Sequence, residues 1–287
     1  MINISSSRNM RAFARLLSIF AAPLCLASTA AGTPSSDPVD QMVAAERSFA
    51  ADAQRIGITP AFRAYAAPDG LLMRPDPAPA LDVLQGDVDT PGVRLEWQPA
   101  IAAMSLSGDL GFTTGPYRLL HGDTVMNGDT LTVWERGADG RWGWFLDHGL
   151  LPVKASEPAA LPTEVAILGR GKPGRRRRPS GVADADAALN AAIVATGTAV
   201  IPGRLAQDGF LLRLQRGRLS KADALRVNGD NLRASATQLF GMRVSRAEDL
   251  AATYGRLTFD DPQGSHNYVR IWRHGATGWQ LLVDLIN

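Results

Sequence analysis

The chain has 287 residues, 45% of them hydrophobic, with 30 Lys+Arg against 28 Asp+Glu and a single cysteine. That apolar fraction is enough for two separate cores and excludes a disordered body. Charge is unevenly spread: residues 37–150 carry 16 acidic and 8 basic groups, 151–180 carry 2 and 7, and 181–287 carry 10 and 12.

Arg8, Arg11 and Arg15 precede an apolar run from Leu16 to Ala27, which ends in small residues up to Ala31. This is the three-part pattern of a secretory signal peptide over residues 1–31, too short for a spanning helix, with cleavage after Ala30 or Ala31. It predicts a periplasmic or secreted protein with no stable membrane insertion once the signal is removed. Cys25 lies inside the apolar run, so the mature chain forms no disulfide. Leu24 stands where a lipoprotein signal needs a small residue, which argues against a lipid anchor.

Asp37-Pro38-Val-Asp40 predicts a helix start, with Asp37 as N-cap, and the helix runs to about Arg55 with Val43, Phe49, Ala50, Ala53 and Ile56 near one face. Gly57 stops it, and Thr59-Pro60 opens a short second helix. Asp69-Gly70 turns the chain into a strand, Leu71 to Arg74, and prolines 75, 77 and 79 lead to a short helix near Ala80–Leu84. From Arg94 onward, long strands alternate with turns at 107–109, 121–123 and 137–140. The last hairpin, Leu131 to Gly149, carries Trp134 on its first strand and Asp147 on its second.

That order returns. A helix from Asp184 to Thr196 stops at Gly197, Asp208-Gly209 matches Asp69-Gly70, and Ser220 with Asp223 caps a short helix. Asp109-Leu-Gly-Phe-Thr-Thr-Gly115 aligns with Asp249-Leu-Ala-Ala-Thr-Tyr-Gly255 at an offset of 140, and a second hairpin, Tyr268 to Leu285, repeats the Trp as Trp272 and the Asp as Asp284. Two copies of over a hundred residues predict two self-contained domains, 37–150 and 183–287, joined by a solvated, mobile, Pro/Ala-rich then Arg-rich linker over 151–182.

Helices first, then a strongly bent antiparallel sheet closing in a hairpin whose final strand opens on a Trp, all in roughly 110 residues: each copy resembles the nuclear transport factor 2-like superfamily, in its small bacterial branch related to the polyketide cyclases. The resemblance implies an α+β fold of two tandem cone-shaped domains, in each of which helices close a strongly curved antiparallel sheet around a pocket. Members include isomerases, dehydratases, cyclases and non-catalytic binding or dimerising modules, so the fold does not choose an activity.

Residues that differ between the copies are the stronger functional clues. Tyr65, Trp97, Tyr117 and Trp144 belong to the first copy, where alignment places Ser235, Leu257 and Leu281 opposite Trp97, Tyr117 and Trp144. With Arg74 and His148 they form a candidate site for a small, partly apolar ligand in the first cone; each aromatic also has a plain reading as core. Strict alternation along 142–148 puts Trp142, Trp144, Leu146 and His148 on one face. Asp69 and His148 are candidates for acid–base catalysis in a cofactor-independent lyase or isomerase, against a turn role for Asp69 and a strand-end role for His148. A third reading is a structural or assembly module with filled cones.

Gly169-x-Gly171-x-x-Gly174 has the dinucleotide-site spelling but is followed by Arg175–Arg178 and Pro179 instead of a helix. The Arg run is a solvated segment, or lies against the acidic first copy or an anionic cell surface, and predicts no nucleic-acid partner. No HExxH, CxxC, GxSxG or Walker spelling occurs, and His121, His148, His266 and His274 lack ligand spacing, so no metal or cofactor is expected. Partnering is expected either within the chain, domain on domain, or through a homodimer.

Overall fold

The first helix, α1 (Pro38–Arg55), begins where its cap predicts: the Asp37 carboxylate accepts the Val39 N–H at 3.1 Å, and Asp40 sits at the positive end of the dipole. The computed structural model describes residues 37–73, 76–150, 153–172, 180–214, 216–226, 231–260 and 264–287. Residues 1–31, expected to be a signal peptide, Arg74 and the run Arg175–Arg178 fall outside them. Gly57, at φ +104°, separates α1 from α2 (Ile58–Tyr65), and α3 covers Ala80–Gly86.

The first sheet runs β2 (Pro77–Pro79), β1 (Ala66–Met73), β7 (Trp142–Gly149), β6 (Thr124–Arg136), β5 (Leu110–His121), β4 (Ile101–Met104), with β3 (Val93–Trp97) also paired to β5. Hairpins join β5 to β6 and β6 to β7, whereas β1 lies parallel to β7. Asp69-Gly70 does not start the strand as predicted. It sits inside β1, in the irregularity between Ala66 and Leu71. There a Cβ on Gly70 would stand 3.0 Å from the carbonyls of Ala67 and Trp144, so the close backbone approach needs glycine.

In the second half, α4 (Ser180–Thr196) is followed by a 3₁₀ turn at Thr198–Val200 and α5 (Ile201–Arg204), and then by α6 (Lys221–Arg226), which Ser220 caps. Its sheet runs β11 (Gly217–Ser220), β10 (Leu205–Arg213), β15 (Gly278–Ile286), β14 (Ser265–Gly275), β13 (Leu250–Phe259), β12 (Ala234–Val244). The strand order matches the first sheet, with β10 again parallel to β15. The architecture is α+β with two curved sheets.

Each sheet buries both faces. On one face of the first, α1 to α3 pack Met42, Phe49, Leu84, Trp97, Trp134 and Trp144 into one core; in the second half Val182, Leu189, Ile193, Tyr268 and Trp272 form its counterpart. The opposite faces share a third apolar layer, in which Phe112, Leu131, Val133 and Leu146 meet Phe210, Leu250, Ile271 and Leu285. Each such side chain contributes roughly 1.5–3 kcal/mol on full burial, whereas an exposed ion pair gives about 0–1 kcal/mol. The apolar layer therefore holds the halves together, and the charges around it set their register.

A bulge decides which residues enter that layer. The β6–β7 register shifts between Val133 and Trp134: Trp134 pairs Trp144, but Val133 pairs Leu146, so Phe145 is the extra residue. Beyond it alternation flips. Trp144 stays with the helices, and Leu146 and His148 face the other sheet, where strict alternation had placed all three together.

The segment expected to be a mobile linker is laid along the first half over 153–168 and reaches the second half at 169–172. β8 (Val153–Ala155) pairs β6, and β9 (Ala166–Ile167) runs parallel to β4. Asn127 and Arg118 bond Ala159 at 2.9 and 3.2 Å, Arg170 pairs with Asp37 at 2.8 Å, and the Lys172 N–H reaches the His274 carbonyl at 2.8 Å. Unmet backbone groups at the sheet edge explain the difference: edge strands attract pairing, and composition does not report it.

Candidate functional site

In the first half, α1 presents Val39, Met42/Val43, Glu46, Phe49/Ala50 and Ala53 on one buried stripe, which aims Glu46 into the apolar core. The Glu46 carboxyl is 2% exposed and accepts from Trp97 Nε1 at 2.5 Å, Trp134 Nε1 at 2.8 Å and Thr113 Oγ1. Burial pushes its pKa above the ordinary carboxylate value, and the three hydrogen bonds only partly offset this. Aromatic rings close around it: Phe49 lies 4.8 Å from both Phe62 and Trp97 and 5.2 Å from Tyr65, and Phe62 lies 6.1 Å from Trp144. The centre of this cone is occupied by the protein's own side chains.

The second half replaces that acid–indole cluster with an ionic one. Asp186, at the position in α4 that matches Glu46, receives Thr253 Oγ1 at 2.8 Å, Tyr268 OH at 2.7 Å and Arg270 Nη1 at 2.9 Å. Arg270, fully buried, also bonds Asp284 at 2.7 Å and Asn190 at 2.7 Å, and Arg213 closes on Asp284 at 2.5 Å. Burial alone would raise Asp284, but the two guanidiniums hold its carboxyl below its usual range. In the first half the matching pair is Asp147 with Thr132, at 2.9 Å.

The predicted site residues do not converge. Trp97 and Trp144 line the first cone, the former spent on Glu46 and the latter fully buried with no acceptor for its Nε1 among the described residues. Tyr65 lies at the cone's rim and donates to Asp52 at 3.0 Å, a second carboxylate absent from the predicted set. Tyr117 donates to the Leu150 carbonyl at 2.5 Å and packs on Gly128 and Gly149, so its ring is structural. His148 faces the inter-sheet layer, opposite Leu131; it is 5% exposed, and burial lowers its pKa to about 4. Asp69 lies outside the cone, paired with Arg243 of the other half. Arg74 falls outside the described residues. Asp69 and His148 therefore share no site. Strand register also gives Thr237 as the counterpart of Trp97, in place of Ser235, because Trp97 pairs Tyr117 as Thr237 pairs Leu257.

Glu46 and Asp186 were missed by sequence reasoning, although a signal existed: each is an acid on the buried stripe of its helix, 140 residues apart. A cleft of about 530 Å³ opens elsewhere, where the β6–β7 turn meets the end of β12, lined by Asp109, Leu110, Arg136, Gly140, Val244 and Arg246 among others.

No protein-family model matches the chain, and no curated protein matches it. Solved structures do. An NTF2-like protein from Cytophaga hutchinsonii is 11% identical over 39% of this chain and 98% of that one, with TM-score 0.32. An NTF2-like protein of unknown function from Shewanella oneidensis is 18% identical over 38% and 96%, with TM-score 0.33. A putative Ca/calmodulin-dependent kinase II association domain from Exiguobacterium sibiricum is 14% identical over 40% and 96%, with TM-score 0.31.

Proposed function

We propose that the chain is an exported, non-catalytic module of two nuclear transport factor 2-like domains in tandem, 37–150 and 183–287, paired with each other through their sheet faces. One observation carries the non-catalytic reading: in both cones the helix carboxylate is bound by the chain's own donors, and in the first the space around it is filled by Phe49, Phe62, Trp97 and Trp134. An acid–base enzyme needs two polar groups converging on open space. Asp69 and His148, on different faces, do not supply them.

Ligand binding in the first cone keeps one supporting observation, the buried Trp144 Nε1 without an acceptor. A partly apolar molecule with an acceptor group would have to displace Phe62 to reach it. Trp fluorescence and thermal unfolding across a panel of apolar small molecules separate the two readings. The module reading expects no saturable quench and no shift in Tm; a saturable quench lost in Trp144→Phe would establish the ligand reading instead.

Export rests on the pattern of residues 1–31. It is tested by N-terminal sequencing of protein recovered from the cell envelope or medium: a chain starting at Ala31 or Gly32 agrees, and an intact Met1 in the cytoplasmic fraction refutes it. The pairing of halves within one chain predicts a monomer by light scattering.

A further inference from the structure

The apolar interior is divided into three. One cluster, with Met42, Phe49 and Trp134, belongs to the first half, and another, with Leu189, Ile193 and Trp272, belongs to the second. Only the inter-sheet layer draws on both. The strap crosses between the halves at 168–169, where the Leu168 N–H bonds the Ala102 carbonyl and the Gly169 carbonyl accepts from Arg273. A parting of the two sheets would therefore open one layer and leave both helix-side clusters in place.

His148 is buried in that layer. It is 5% exposed, stands opposite Leu131, and its Nε2 has no hydrogen-bond partner among the described residues. The layer around it is apolar: the first sheet supplies Met73, Leu131 and Leu146, and the second supplies Phe210, Ile271 and Leu285. Charged groups are turned elsewhere or already engaged. Asp147, next on the strand, points to the helix side and bonds Thr132 at 2.9 Å, and on the second sheet Arg270 and Asp284 bond each other in their own cone. Asp129 shares the Leu131 face of β6 and feels Arg218 of β11, while Asp76, beyond β1, is paired with Arg256 of β13. Burial alone pushes the His148 pKa down to about 4, with no charged group offsetting it.

We infer that His148 is an acid-sensitive latch between the two halves: uptake of a proton by its ring favours a form in which the sheets part and each half keeps its helix-side cluster. The closed layer accepts only the neutral ring, because an imidazolium there has no carboxylate to pair with. In the parted form the ring is hydrated and titrates near its ordinary value of 6.5. The closed form is thus fully favoured above pH 6.5 and loses ground as pH falls toward 4, and from pH 7.5 to 4.5 the histidine raises the parted fraction about 70-fold. Asp129 and Glu135 act the other way, since burial raises both. The histidine's share is therefore read by comparison with variants that lack it.

The test uses the full chain with Cys25→Ser and one new thiol at a time: Val283→Cys in the inter-sheet layer, and Ala53→Cys or Ile193→Cys in a helix-side cluster. Reaction with a pyridyl disulfide that works in acid is followed at pH 7.5 and 4.5, each rate divided by that of the urea-unfolded chain at the same pH. For the Val283→Cys thiol, the gain between the two pH values is expected to be about 70-fold larger with His148 than with His148→Leu or His148→Gln. The other two thiols should show little of that difference. An equal difference at all three positions would assign the effect to global unfolding and overturn the latch. So would a gain at position 283 that survives both substitutions of His148, or no gain there at all.

Discussion

Glu46 and His148 are buried titratable groups that move stability in opposite directions with pH. Burial lowers His148 from 6.5 to about 4. Its neutral burial is fully tolerated above pH 6.5; between 6.5 and 4 the unfolded chain binds a proton that the folded chain refuses, so stability falls as pH falls, by up to about 3 kcal/mol. Glu46 is raised. Its effect is absent below the ordinary carboxylate value, and stability falls as pH rises toward the raised one, because the folded chain keeps a proton the unfolded chain has lost. His148→Leu, which installs the residue found at matching position 285, should flatten the acid limb, read by urea unfolding at pH 7 and pH 4.5. Glu46→Gln should flatten the slope above pH 5, while costing about 1–3 kcal/mol because its amide N–H faces a buried indole N–H. Glu46→Ala leaves the buried Trp97 indole N–H unpaired and Trp134 with only its 3.2 Å bond to Thr113 Oγ1, and should cost about 1–3 kcal/mol. That helix position was legible as an acid on an apolar stripe. Its partners were not, because Trp97, Thr113 and Trp134 come from three strands 51, 67 and 88 residues away.

Elements were legible to different degrees according to how local their causes are. Asp37 with Pro38, Ser220 with Asp223, and the glycines at 57 and 197 act on neighbours in sequence, and the helices begin and end near them. Bulges have non-local causes, and period-2 reasoning across Val133/Trp134 put His148 on the wrong face. One close approach recurs where the strand opposite each glycine bends: a Cβ on Gly115 would stand 2.1 Å from the Gln98 carbonyl, and one on Gly255 would stand 2.2 Å from that of Gln238. Backbone cannot yield as a side-chain tip can. Gly115→Ala and Gly255→Ala should each cost about 3 kcal/mol or prevent folding, measured by urea midpoint with serine variants as a second series. A loss below about 0.5 kcal/mol, the range of ordinary surface changes, would contradict the close packing.

At the scale of the molecule, the charge asymmetry of the sequence acquires a direction. The ion pairs described between the halves take the acid from the first and the arginine from the second: Asp69 and Glu135 with Arg243, Asp76 with Arg256, Asp109 with Arg246. Arg243 Nε lies 3.2 Å from Glu135 without hydrogen-bond alignment, and its guanidinium rests 3.8 Å over Phe145, so it joins charge to packing. Two first halves would set these acids against Ala103, Leu106 and Pro116, the counterparts of Arg243, Arg246 and Arg256, and leave them without a cation; the asymmetry thus favours pairing of unlike halves. Arg243→Glu should destabilise by about 1–3 kcal/mol, more than removal of one exposed pair, and Asp69→Arg in the same chain should recover part of it. Calorimetry of both variants at low and high salt reads this: a salt-insensitive loss with no recovery would assign Arg243 to packing alone.

Repetition at a 140-residue offset, helix caps, hairpin turns and the acidic first half are properties of neighbouring residues or of totals, and the sequence alone determined them. Which face of each sheet meets the other, which carboxylates are sealed, that 153–172 lies along a strand edge, and that among the described residues β12 ends its sheet were decided by tertiary structure. The reason is physical: burial, edge pairing and bulges depend on which distant backbone groups and side chains are brought within a few ångströms, and neither composition nor periodicity encodes those distances.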